Sequence, residues 1–249
     1  MKYLILTGAS RGVGEGIIRN LQDDSIEIFA IARNSSTLSE DLFNNLSFFS
    51  FDLNNIDKID SLMNNIFSKI ILKEEDEIYL INNAGIIAPS VPTTKLVPEE
   101  LTHHFNVNTL APMLICSNFI HHTENFKGVK RILNISSGAA VSPIYGWGPY
   151  SASKSALDAF SKVVKVEEDL KDNGVEIMVL YPGVVDTDLQ KDIRSLNKEN
   201  FAMVDTFKDY KENGVLLTKE KVGQIVSSII QGHGFKNGEV VKISEYIDK

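Results

Sequence analysis

A chain of 249 residues, 43% hydrophobic and 23% charged, can bury a sizeable core and has the composition of an ordinary globular protein. Its net charge of −8 and pI near 5.2 argue against the clustered basic face that nucleic-acid binding requires. The single Cys116 rules out an intramolecular disulfide framework, and no apolar run is long enough to span a bilayer, so a cytoplasmic protein is expected. The Asn-x-Ser matches at Asn34, Asn45 and Asn134 are then chance occurrences.

Along the chain, short β-branched runs alternate with longer amphipathic stretches. Strands are expected at 3–7, 27–32, 46–51, 78–82, 131–135, 176–181 and 240–243, and helices near 14–23, 56–73, 98–118, 151–172 and 219–231. Apolar strands alternating with helices predict an α/β fold: a Rossmann-type, doubly wound parallel sheet of about seven strands in three α/β/α layers. Residues 1–249 read as one domain. The polar, weakly periodic stretch 189–213 reads as an insertion that closes over a site.

The first strand runs into Thr7-Gly8-Ala9-Ser10-Arg11-Gly12-Val13-Gly14-Glu15-Gly16, and a helix follows. Glycines there permit a tight turn and let backbone approach a pyrophosphate, which the helix N-terminus then holds with free N–H groups. A purely structural turn is the alternative, but the place at the first strand–helix junction favours a nucleotide. Strand two ends Ala32-Arg33-Asn34 without the carboxylate that holds a ribose 2′-OH. Arg33, with Arg11 in the turn, suits a 2′-phosphate, so NADP(H) is expected rather than NAD.

Tyr150 and Lys154 lie one helical turn apart on one face. An ammonium beside a phenol favours the phenolate, so Lys154 is expected to pull the Tyr150 pKa down from about 10. A phenol so tuned exchanges a proton with a carbonyl or alcohol oxygen. Taken alone, such a pair is more often two solvated side chains.

The Thr-Gly-xxx-Gly-x-Gly turn, Asn82-Asn83-Ala84-Gly85 after strand four, Asn108, Ser137, Tyr150-xxx-Lys154 and Pro182-Gly183-Val184-Val185-Asp186-Thr187 follow one another in the order and spacing of a known family. Over essentially its whole length the chain resembles the short-chain dehydrogenase/reductases. Within them it is similar to the sepiapterin-reductase-like branch, particularly the bacterial benzil reductases of the (S)-benzoin-forming type, through Leu110-Ala111-Pro112-Met113, Asn134 to Ala139, Gly146-Trp147-Gly148 and Asn237-Gly238-Glu239-Val240.

The resemblance implies an NADPH-dependent carbonyl reductase with Tyr150 as general acid, Lys154 as its tuner and ribose ligand, and Ser137 as donor to the substrate oxygen. Asn108 is implied to hold a helix bend and a water of the proton relay; a buried, satisfied amide is its plainer reading. Ser137 is chosen over Ser136 by its spacing to Tyr150. For the cofactor the resemblance implies Leu6, Gly8, Ser10, Arg11, Gly12, Val13 and Gly14 from the first strand and turn, and Arg33, Asp52 and Leu53 after strands two and three. It adds Asn83, Ala84 and Gly85 after strand four, Tyr150 and Lys154, and Pro182, Gly183, Val185 and Thr187 after strand six. Asp52 reads equally well as a turn or capping aspartate.

Ser137, Tyr145, Trp147, Tyr150 and Leu189 are the expected substrate contacts, an aromatic wall suited to a flat diketone of the benzil kind or a pterin side-chain ketone. Trp147 reads equally as a packing anchor. The pairs His103-His104 and His121-His122 are taken as solvated helix histidines, and no metal is expected. The partners expected are a small carbonyl substrate and a second copy of the chain, as homodimer or tetramer, with neither nucleic acid nor membrane. A dinucleotide-sensing protein without turnover, and an alcohol dehydrogenase running oxidatively on NAD, are the alternatives.

Overall fold

A computed structural model of the chain describes residues 1–21, 25–34 and 45–247. Its seven strands are β1 (Lys2–Thr7), β2 (Ile26–Ala32), β3 (Leu46–Ser50), β4 (Glu77–Asn82), β5 (Val129–Ile135), β6 (Glu176–Tyr181) and β7 (Val240–Lys242). All pair in parallel, in the order β3-β2-β1-β4-β5-β6-β7.

Alternate side chains of each strand enter opposite cores. Leu4 and Leu6 of β1 join Ile28 and Ala30 of β2 on one face, against helices α1 (Gly12–Asn20) and α8 (Lys219–Ile230). Tyr3, Ile5, Phe29 and Ile31 face the other way, toward α2 (Ile59–Phe67), α4 (Ala111–His122) and α5 (Gly148–Glu168). Strands buried on both faces explain the unbroken apolar runs, and the expected three-layer Rossmann-type fold is present.

Helices differ from the reading in informative ways. The stretch 56–73 is helical only to Phe67, and the end of 14–23 lies outside the described residues. The stretch 98–118 is not one helix. It divides into α3 (Pro98–Phe105), a π-turn at Asn106–Leu110, and α4. Pro112 accounts for the break: it has no N–H to give the Asn108 carbonyl four residues back, and its ring crowds that position. The insertion is also more ordered than its polarity suggests, holding α6 (Asp188–Arg194) and α7 (Val204–Glu212). Its apolar residues Ile193, Phe201, Val204 and Phe207 form a third cluster with Trp147 and Tyr150.

Helices α1 and α8 pack where both are glycine. A methyl on Gly16 would lie 2.2 Å from the Lys219 carbonyl oxygen, and one on Gly223 would lie 2.2 Å from the Gly16 carbonyl carbon. Only bare backbone permits that approach, and it sets where the N-terminus of α1 lies relative to the sheet.

Candidate active site

The strand order reverses between β1 and β4, and a cleft of about 470 Å3 opens there, at the carboxyl ends of the strands. Gly8, Ser10, Arg11, Gly12 and Val13 line it from the glycine-rich turn, Arg33, Asp52 and Leu53 from β2 and β3, and Asn83, Ala84, Gly85 and Thr187 from β4 and β6. A larger groove of about 940 Å3 along β3 and α2 holds none of the expected site residues.

The turn is held by its own polar groups. Gly8 and Gly12 have φ of 68° and 57°, a region that side chains strain to enter. The Asn83 side chain donates to the carbonyls of Thr7 (3.2 Å) and Gly8 (3.0 Å), and the Thr7 hydroxyl accepts from the amides of Asn83 and Ala84. Gly8 touches Ala84 so closely that a methyl would lie 2.8 Å from its Cα. Helix α1 has no side-chain cap at Arg11, so its first amides are left for an anion. With the cationic side chains of Arg11 and Arg33 on the rim, these residues fit a phosphorylated dinucleotide.

Besides Tyr150 and Lys154, which sit at its end, five expected cofactor residues do not line the cleft. Leu6 is fully buried in the core beneath β1, where strand alternation turns its side chain away. Gly14 backs the turn, where a methyl on it would lie 2.2 Å from the Gly8 carbonyl oxygen. Val185 is buried against the α1 and α8 face, and Pro182 and Gly183 form the turn after β6, outside the cleft lining. Asp52 has the turn role considered for it, its carboxylate accepting from the Asn54 amide at 3.0 Å, and it also lines the cleft. The sequence reading missed Ile31, Phe51 and Val107, apolar lining whose only signal was its place at strand ends and before Asn108.

Ser137 follows β5 and caps a short 3-10 turn, accepting from the Ala139 amide at 3.2 Å. It stands beside the phenol of Tyr150, in the first turn of α5. Ser136 is buried, with its hydroxyl on the Lys154 carbonyl, and so takes the structural part expected of it. Lys154 Nζ donates to the Ile135 carbonyl at 2.9 Å. Gly85 joins this group to the cleft: a methyl on it would sit 3.5 Å from Asn108 Oδ1 and 3.6 Å from Lys154 Nζ. Asn108, Lys154, Ser137 and Tyr150 thus gather at one end of the cleft.

The electrostatics differ from the simple ammonium–phenol picture. Burial raises the Tyr150 pKa, and the Ser137 hydroxyl offsets only part of that rise. Lys154 does not lower it. Burial drives the lysine itself down to about 8 despite the Asp158 carboxylate nearby, and its ammonium lies 6.0 Å from the Tyr150 ring centroid. Desolvation therefore overrides the local charge pair on both groups.

Asn108 has the satisfied amide of its plainer reading as well as the bend. Its side chain pairs with the Ile86 backbone, accepting from the amide at 2.9 Å and donating to the carbonyl at 2.8 Å. His104 corrects the reading of solvated histidines: it is fully buried, because α5 and the segment after β4 close over it. Trp147 is a packing anchor, stacked on Phe201 at 4.8 Å and edge-on to Tyr150 at 5.4 Å. Tyr145 is exposed and does not line the cleft, and Leu189 bridges the cleft and the aromatic cluster.

A glycine-rich cleft at the switch point of a doubly wound parallel sheet defines a dinucleotide-binding α/β protein. Residues 2–198 match the family described as short chain dehydrogenase, and the chain belongs to that family of oxidoreductases using nicotinamide cofactors. It is 38% identical to the benzil reductase ((S)-benzoin forming) of Bacillus cereus, covering 98% of this chain and 100% of that one. The enzyme of the same name from Bacillus subtilis (strain 168) is 30% identical, over 99% and 100% of the two chains. Among solved structures, the KRED1-Pglu enzyme superposes with a TM-score of 0.84 at 27% identity, covering 97% of this chain and 100% of that chain. Among the described residues, no helix is long and apolar enough to cross a membrane.

Proposed function

We propose that residues 1–249 form one NADPH-dependent carbonyl reductase domain that reduces one ketone of a small aromatic 1,2-diketone, as benzil is reduced to (S)-benzoin. The observation that carries this reading is the buried Tyr150 phenol beside Ser137, at the end of the cleft where Lys154 and Asn108 converge on Gly85. NADPH, when bound, would supply the hydride.

The residues of the chain supply the rest. Arg33 and Arg11 take the 2′-phosphate, and the uncapped N-terminus of α1 takes the pyrophosphate. Lys154 holds the nicotinamide ribose. Ser137 donates to the ketone oxygen as negative charge develops on it, and Tyr150 delivers the proton that completes the alcohol. A phenol whose pKa is raised keeps its proton, which suits an acid working in the direction of reduction. The aromatic cluster of Trp147, Phe201 and Phe207 excludes water over the reacting carbon and favours a flat apolar substrate. The exposed apolar stripe Leu110, Leu114, Val163, Val166 and Leu170 on α4, α5 and their ends supports pairing with a second copy.

The test follows NADPH oxidation with benzil, sepiapterin and simple ketones for wild type and Tyr150→Phe. Benzil turnover by wild type and a loss of roughly 10²- to 10⁴-fold in kcat for Tyr150→Phe are expected. NADPH binding without oxidation of any carbonyl would leave a dinucleotide sensor instead. Preference for sepiapterin would move the substrate to a pterin ketone, and undiminished turnover in Tyr150→Phe would remove the proposed acid.

A further inference from the structure

Helix α3 buries one residue, His104, and its ring meets two residues of the candidate site, Asn108 and Tyr150. Its Nδ1 is 2.6 Å from the Ala88 carbonyl, and its Nε2 is 3.0 Å from both Asn108 Nδ2 and Ser153 Oγ. The ring stands edge-on to Tyr150, with centroids 6.3 Å apart. The single hydroxyl proton of Ser153 has two acceptors in reach, Nε2 and the Tyr150 carbonyl at 2.8 Å.

The chemistry of the partners fixes the proton. A carbonyl only accepts, so Nδ1 carries hydrogen. Asn108 Nδ2 has two protons. One goes to the Ile86 carbonyl at 2.8 Å; the second has Nε2 at 3.0 Å as its nearer acceptor, Ser153 Oγ being 3.5 Å away. With Nε2 bare both Asn108 protons have an acceptor, and the imidazole is neutral. A proton on Nε2 would face the Asn108 amide donor. Turning that amide over would set an NH2 group against the Ile86 amide, so a charged His104, although its Nε2–H could reach Ser153 Oγ, leaves the Asn108 amide without its full set of partners.

We propose that His104, resting on the reductase reading above, is a positioning residue: as the neutral Nδ1–H tautomer it fixes the Asn108 amide and, through Ser153, the backbone carrying Tyr150. The groups facing the ring are consistent with neutrality. Burial lowers its pKa; the Ala88 and Pro149 carbonyls raise it, Lys154 from α5 and His103 from α3 lower it, and the net direction is down, while Tyr150 is uncharged with its own pKa raised. The segment 84–90 and the π-turn contribute no titratable side chain.

Two variants separate this role from mere packing. His104→Gln retains an acceptor toward Asn108; His104→Leu retains bulk without one. Expected for His104→Leu is a kcat lower by roughly 10- to 100-fold with NADPH affinity within about threefold of wild type, a misplacement effect. His104→Gln recovers most of that kcat. It also loses the acid limb that wild type shows, where kcat/KM falls as His104 protonates below its ordinary value of 6.5. Nitrogen NMR of the wild-type protein reads the tautomer without turnover: Nδ1–H and bare Nε2 are expected, with a slowly exchanging Asn108 side-chain amide that persists in His104→Gln and is lost in His104→Leu. An Nε2–H tautomer, an Asn108 amide indifferent to His104→Leu, or equal losses of melting temperature in both variants with kcat unchanged would each overturn the proposal. Failure of wild type to oxidise NADPH with any carbonyl would sink the reductase reading alone, and the NMR result would still decide the part played by His104.

Discussion

Replacing Gly223 with alanine tests whether the α1–α8 crossing sets the geometry of the cleft. The added methyl would lie 2.2 Å from the Gly16 carbonyl carbon, 2.3 Å from its oxygen and 2.7 Å from the Ile17 nitrogen. These are backbone atoms, so no side chain can turn aside. Ordinary contact at about 3.5 Å needs the helices to part by roughly 1 Å. Overpacking of that size costs about 1–3 kcal/mol, from which alanine's better helix propensity returns up to about 1 kcal/mol. For a chain of this length each kcal/mol corresponds to about 2–4 °C, so the melting temperature should fall, by up to roughly 12 °C. Because α1 begins in the glycine-rich turn, the same displacement should weaken NADPH binding by about tenfold, as a shift of this size misaligns a positioned group. Gly148→Ala, whose methyl would meet nothing within 4 Å, serves as the control and should melt no lower than wild type. Thermal melts and NADPH fluorescence titration are the assays. A Gly223→Ala protein that melts with wild type and binds NADPH equally would show that the close crossing does not place the turn.

Arg33→Ala should raise KM for NADPH by about tenfold and leave that for NADH unchanged, since a charge-assisted bond to a phosphate at an exposed position is worth about 1–2 kcal/mol; an equal loss for both cofactors would refute the 2′-phosphate assignment. Lys154 has a folded pKa near 8 against an ordinary 10.5, so the folded state holds its proton at a cost that is complete below about pH 8 and gone above 10.5. The stability of wild type relative to Lys154→Met should therefore improve as pH rises through that window, and a difference independent of pH would show that the ammonium is not desolvated. Phe201→Ala deletes a fully buried ring stacked on Trp147 and should cost about 3–5 kcal/mol in the docking of α7. Trp147 is the sole tryptophan, so its emission should shift to the red as the cluster opens, with a higher KM for the diketone; an unchanged spectrum would mean that the insertion is held elsewhere.

The strands were readable because burial on both faces writes itself as continuous β-branched runs, and all seven lie within two residues of their expected bounds. The cleft was readable for a different reason: glycines that permit a positive φ or a close approach have few substitutes, so Gly8, Gly12 and Gly14 announce the turn. Leu6 shows the limit of that reading, since proximity along the chain brought it to the edge of the site while alternation carried its side chain into the core. The insertion was underestimated because its apolar residues, Phe201, Val204 and Phe207, are spaced to pack across to Trp147 and not to build a long amphipathic helix.

What the sequence concealed is what depends on several segments at once. The sign of the Tyr150 shift is one case: spacing brings Lys154 to the same face, yet burial acts on both groups and reverses the expectation. His104 is another, since its burial is created by α5 and the segment after β4, far along the chain. Pro112 joins these threads. Withdrawing its N–H from the Asn108 carbonyl makes a continuous helix impossible there, and the π-turn that results gives Asn108 a place from which its amide meets both Ile86 and His104. A local rule is broken at a point where the candidate site holds an oriented amide, which is where sequence and fold are expected to disagree.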